Sequence, residues 1–201
     1  MFDAMLKHSA IVIGVSTGGT EALTTLLPAL PADLFAPVTI VMHVAQDSDG
    51  FLSRHLDNLS DICVKEAEDG EPLKSGTVYL APAGYHLLIE EHRCFALSVD
   101  DPVRYSRPSI DVLFESAAET YRDELIGIVL TGANGDGRRG LEKIKAHGGF
   151  VIVQEPKTAV ADVMPNEALA AVEADQVLPL QKIGPFLERL HFLRFREEKL
   201  Q

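Results

Sequence analysis

Ile11-Val12-Ile13-Gly14-Val15-Ser16-Thr17-Gly18-Gly19-Thr20 is an apolar run that breaks on a glycine-rich corner. Residues 9–14 read as a first strand. An uninterrupted apolar run of this length suits a central parallel strand covered on both faces. A helix then begins near Gly19: Leu23, Leu26, Leu27 and Leu30 recur at i, i+3, i+4 and i+7, and Pro28 and Pro31 end it. One hydroxyl, Ser16, stands on the corner between small residues that leave it accessible.

The same unit repeats along the chain. Val38–Met42 is a second strand with His43 at its carboxyl end, and a polar loop (Gln46 to Gly50) leads to a helix carrying Leu52, Leu56 and Leu59. Residues 62–66 and 77–81 read as short strands separated by the turn signals Asp69-Gly70 and Ser75-Gly76. Leu87–Ile89 and Cys94–Val99 flank Glu91-His92-Arg93 and read as a hairpin. Ser109 is a plausible N-cap for a helix with the apolar stripe Ile110, Leu113, Phe114, Ala117, Ala118 and Tyr121. Leu125–Leu130 is a further buried strand that runs into a second glycine-rich corner, residues 131–137, followed by a helix over 138–147. Strands at 150–153 and 176–178 and helices from Met164 to Ala171 and around Ile183–Leu193 complete the pattern. Alternating strands and helices imply an α/β fold: a doubly wound, right-handed, mostly parallel sheet in a Rossmann-like three-layer arrangement, with an antiparallel hairpin insertion. No repeat, linker or low-complexity segment divides the chain, so residues 1–201 read as one domain with its core over about 9–190.

Bulk properties narrow the function. A formal net charge of −12 disfavours nucleic acid and anionic membrane surfaces as partners. No secretory leader or bilayer-length apolar run is present, which points to the cytoplasm. Cys63 and Cys94, both in strand-like stretches, are expected to be buried reduced thiols. No ligand spacing for a metal occurs.

Ser16, His43 and Asp136 each fall just beyond the carboxyl end of a strand, which puts all three on one edge of the sheet, where open parallel sheets bind ligands. A serine hydroxyl needs a base to take its proton, and the base needs a carboxylate to hold its tautomer. The backbone N–H groups of Thr17 and Ala133 are candidates to hold an oxyanion. The first corner, taken alone, favours a phosphate or nucleotide site; it lacks G-x-G-x-x-G spacing and a P-loop lysine, and the second strand ends in His43 rather than an acid. His86 is the main rival to His43.

These residues carry a resemblance. Ile13–Ala22, Met42-His43, Val64–Gly70, Tyr79–Pro82 followed by His86, Arg107–Phe114, Val129–Gly132 with Asp136-Gly137, and Met164-Pro165 resemble, in order, the catalytic domain of the chemotaxis receptor methylesterase (CheB-type) family. The resemblance implies a serine hydrolase, without cofactor or metal, that demethylates glutamate γ-methyl esters on chemoreceptor-like proteins and deamidates some receptor glutamines. It implies Ser16 as nucleophile, His43 as base and Asp136 as its carboxylate, with the glycines leaving room at Ser16 for a glutamyl ester. The first strand begins too early for a preceding receiver domain, so control by a separate protein in trans is expected. Departures from the family pattern fall near the cleft: Val44-Ala45-Gln46 after His43, Ala133 where Met is common, and Asp162-Val163 before Met164. They bear on the choice of substrate. A catalytically silent, CheB-like binding module is the alternative reading, and a nucleotide-binding domain a third.

Overall fold

The computed structural model describes residues 7–43 and 50–198. Nine strands and six α-helices are found among them: β1 Ala10–Val15, α1 Gly19–Leu26, β2 Val38–Met42, α2 Phe51–Leu59, β3 Cys63–Glu66, β4 Thr77–Leu80, β5 His86–Ile89, β6 Phe95–Ser98, α3 Ile110–Tyr121, β7 Leu125–Val129, α4 Arg138–Ala146, β8 Phe150–Gln154, α5 Val163–Ala171, β9 Gln176–Leu178 and α6 Leu180–Glu198. Seven strands form one sheet in the order β3-β4-β2-β1-β7-β8-β9, every pair parallel. β5 and β6 form a separate antiparallel hairpin. The expected α/β sheet with a hairpin insertion is thus present, and its main sheet is wholly parallel.

The alternation of β1 explains the three layers. Ile11, Ile13 and Val15 point into one core with Leu23, Leu26, Leu56 and Leu187, from α1, α2 and α6. Ala10 and Val12 point into a second core with Ile110, Phe114, Leu141 and Ala168, from α3, α4 and α5. The hairpin joins this second layer through Leu87, Ile89 and Phe95. A strand apolar at every position is the one that must be covered twice.

β1 lies between β2 and β7, so the chain order reverses beside it. α1, which follows β1, and α4, which follows β7, lie in opposite layers, the arrangement that opens a crevice at the carboxyl ends of the strands. Gly14 lets the layers close around that point: a Cβ there would lie 2.4 Å from Ile110 Cγ2, so α3 could not otherwise sit against β1. The two cysteines are free but not buried. Cys63 is exposed because β3 is an edge strand, and Cys94 is half-buried in the hairpin turn.

Candidate active site

Ser16 leaves β1 on a corner whose shape is set by backbone bonds. Its N–H donates to Thr131 O at 2.9 Å, and its carbonyl accepts from Gly19 N at 2.8 Å. Gly18, the residue before α1, sits at φ +80°, a conformation that favours glycine. The glycines do not leave open space. A Cβ on Gly18 would meet Val160 Cβ at 2.6 Å and one on Gly19 would meet Val15 Cγ2 at 3.0 Å, so they serve close packing behind the corner.

His43 follows β2. Its Nδ1 is 3.1 Å from Ser16 Oγ, and its Nε2 is 2.9 Å from Asp136 Oδ2. The three residues selected from the sequence are therefore in direct contact. Asn134 adds a fourth: its Nδ2 lies 3.2 Å from His43 Nδ1, while its Oδ1 accepts from Asp136 N at 3.1 Å. An amide nitrogen can only donate, so Nδ1 is the acceptor and the proton sits on Nε2, facing the carboxylate. The ring nitrogens have swapped roles relative to the serine protease template, in which Nε2 faces the serine.

Asp136 is held on every side. Oδ1 accepts from Ser109 Oγ (3.0 Å), Asp111 N (3.0 Å) and Gly137 N (3.0 Å); Oδ2 accepts from Ile110 N (2.7 Å) as well as from His43. Its side chain is 0% exposed and that of His43 13%. Burial alone would raise the Asp136 carboxyl; the His43 contact and the N–H groups of Ile110 and Asp111 outweigh it and hold the group below the usual aspartate value. Those N–H groups belong to the first turn of α3, so Asp136 also complements a helix dipole. Asp111 returns the arrangement: its Oδ1 accepts from Gly140 N in the first turn of α4 at 2.9 Å. Each helix is capped by a carboxylate from the other's start. Ser109 occupies the N-cap position of α3, as expected, but its hydroxyl goes to Asp136 rather than to its own helix.

Behind the serine lies a buried hydroxyl. Thr131 Oγ1 donates to Thr17 O at 2.8 Å and accepts from Ala161 N at 2.9 Å, and Thr131 N donates to Gln154 Oε1 at 2.9 Å. This fixes the peptide after Thr17 against the second corner. The N–H groups of Thr17 and Ala133 have no hydrogen-bond acceptor among the described residues, and both residues are exposed at the crevice. Thr131, Asn134 and Gln154 were not singled out from the sequence. An asparagine two residues before an aspartate in a glycine-rich loop is an Asx-turn signal that could have marked Asn134; nothing local marks Gln154, which is brought in by the β7–β8 register.

His86, the rival histidine, is structural. Its Nδ1 accepts from Ser109 N and its Nε2 lies against Asp101 O, each at 3.2 Å. It begins β5 rather than lying on a loop. Asp162 and Val163 stand at the start of α5, whose Met164 N donates to Gly132 O on the second corner. Val44-Ala45-Gln46 lies outside the described residues. Among the described residues no group of three or more His, Cys, Asp or Glu could hold a metal ion, and no helix is long and apolar enough to cross a membrane.

A sequence profile described as CheB methylesterase matches residues 11–187. The chain belongs to the CheB methylesterase family. A putative protein-glutamate methylesterase/protein-glutamine glutaminase of Leptospira interrogans is 51% identical over 185 residues, covering 92% of this chain and 96% of that protein. A protein-glutamate methylesterase/protein-glutamine glutaminase of Symbiobacterium thermophilum is 38% identical over 188 residues; the chain spans 52% of its length. The crystal structure of the Thermotoga maritima CheB methylesterase catalytic domain matches with a TM-score of 0.88 at 38% identity, covering 91% of this chain and 98% of that one. The CheB family fold and its hydrolase class are therefore those of this chain.

Proposed function

We propose that this protein is a serine hydrolase that removes methyl groups from glutamate γ-methyl esters on the cytoplasmic helices of a chemoreceptor-like protein in chemotaxis or a related signalling system, and that residues 1–201 form its single catalytic domain. One observation carries the reading: Ser16 Oγ stands 3.1 Å from His43 Nδ1, and the opposite ring nitrogen stands 2.9 Å from a buried carboxylate.

In this mechanism His43 Nδ1 takes the Ser16 proton as Oγ attacks the γ-carbonyl carbon. The backbone N–H groups of Thr17 and Ala133 hold the oxyanion. The carbonyl re-forms, the C–O bond to methoxide breaks, and the proton on Nδ1 passes to that oxygen, releasing methanol. Water then gives a proton to Nδ1, attacks the acyl-enzyme, and Ser16 leaves with that proton restored. Asp136 stabilises the imidazolium through Nε2 without itself taking the proton. On a glutamine side chain the same steps release ammonia. The chemistry calls for no cofactor.

The relatives named protein-glutamate methylesterase/protein-glutamine glutaminase support both the ester and the amide substrate. The test is methanol release from a methylated receptor fragment, together with labelling by a fluorophosphonate. Labelling at Ser16 that disappears in Ser16→Ala supports the assignment; a folded wild-type protein that neither labels nor releases methanol refutes it and favours a silent binding module.

A further inference from the structure

We propose that the Arg104-Tyr105 turn is a docking finger, with Tyr105 as the anchor that seats the protein carrying the scissile side chain; this rests on the hydrolase reading above. Val103 and Ser106 pair across a two-residue loop, Ser106 N donating to Val103 O at 2.8 Å and Val103 N to Ser106 O at 3.1 Å. Both loop residues lie in the left-handed region, Arg104 at φ +48° and Tyr105 at φ +67°. A turn of this kind is built most readily from Asn-Gly, and two ordinary side chains strain it. The fold gains no burial in return, since Tyr105 is 103% exposed.

The strained turn is nevertheless held firmly. Arg104 Nη1 donates to Gly135 O at 3.3 Å, and its Nε stands 3.9 Å from the buried carboxylate of Asp111. Arg107 Nη1 donates to the carbonyls of Val99 (2.7 Å) and Asp100 (3.0 Å) at the other side of the loop. Gly135 adjoins Asp136, so the finger is bolted to the corner that carries the candidate carboxylate. At the first corner Val160, also mostly exposed, packs on Gly18 two residues from Ser16. An exposed aliphatic side chain thus lies against the first corner, and the turn that carries the exposed aromatic ring is tied to the second. Strain maintained beside a reactive centre is a mark of function. A solvent-exposed tyrosine on a braced turn has only two side-chain torsions to fix on contact and buries a large area, which suits a protein surface. A small ester reaching Ser16 has no use for it.

The test uses the full chain. Binding of a methyl-esterified receptor fragment is measured by fluorescence anisotropy to Ser16→Ala and to Ser16→Ala/Tyr105→Gly; steady-state kinetics on the same fragment compare wild type with Tyr105→Gly. Glycine fits φ +67°, so this variant folds, and its Tm is expected to equal or exceed that of its parent. The expected results are a Kd weakened about tenfold and a loss in kcat/KM that falls on KM, with Tyr105→Phe restoring most of the affinity. Equal affinity, or a loss confined to kcat, overturns the docking role. If Ser16→Ala binds no fragment while the wild-type chain hydrolyses p-nitrophenyl acetate through Ser16, the proposed substrate fails and the docking role with it. If the wild-type chain hydrolyses neither, the hydrolase reading itself has failed.

Discussion

At the scale of single residues, the proposed catalysis depends on one lone pair. His43 Nδ1 faces both Ser16 Oγ and Asn134 Nδ2, at 3.1 and 3.2 Å. Loss of the nucleophile or the base, by Ser16→Ala or His43→Ala, is expected to lower kcat on the order of 10⁴–10⁶-fold in an ester-hydrolysis assay, with Asp136→Ala costing less. Thr131 acts one step removed, by holding the Thr17 carbonyl. Thr131→Val keeps the shape and removes the hydroxyl, so kcat should fall about tenfold with KM held, and Thr131→Ser should restore it. Asp136 also ties stability to pH. Its carboxyl is depressed in the folded chain, so its contribution is fully present above the unfolded value of about 3.9 and is lost as the pH falls below it. Asp111 has the opposite sign, because burial raises it. Urea unfolding between pH 5 and pH 2.5 should therefore show an acid loss of stability that is shallower in Asp136→Asn than in the wild-type protein; parallel curves would contradict this.

At the scale of elements, the reciprocal capping of α3 and α4 is what makes the crevice rigid. Asp111→Ala removes the acceptor for Gly140 N and should cost about 1–2 kcal/mol, read as a lower urea midpoint. Gly14→Ala should cost about 1–3 kcal/mol by driving Ile110 away from β1, and with it the Ile110 N–H that binds Asp136. These contacts also mark what could be read beforehand. β2, α3 and β9 have the bounds expected, and the other strands of the main sheet, α4 and α5 shift by one residue, because apolar periodicity reports burial directly; α1 stops at Leu26, short of Leu30, and α6 runs from Leu180 to Glu198, well beyond the Ile183–Leu193 stripe. Pairing between distant helix ends leaves no local trace. Ser109 therefore looked like an ordinary N-cap, although Asp136, 27 residues away, takes its hydroxyl. The cysteines failed for a related reason: an edge strand has the composition of a central one, and only the sheet order exposes Cys63.

At the scale of the whole molecule, topology explains why three residues spread over residues 16–136 meet. β1 is flanked by β2 and β7, so the loops that follow these three strands open at one place. That placement could be inferred from strand ends alone, which is why Ser16, His43 and Asp136 were accessible to sequence reasoning. Asn134, Thr131 and Gln154 were not, since their roles depend on hydrogen bonds formed after the sheet has set its register. The most direct test of the account is methanol release from a methylated chemoreceptor fragment, with Ser16→Ala measured alongside. A Ser16 nucleophile requires stoichiometric methanol release by the wild-type chain and none above background by Ser16→Ala. An equal rate in the two proteins would contradict it.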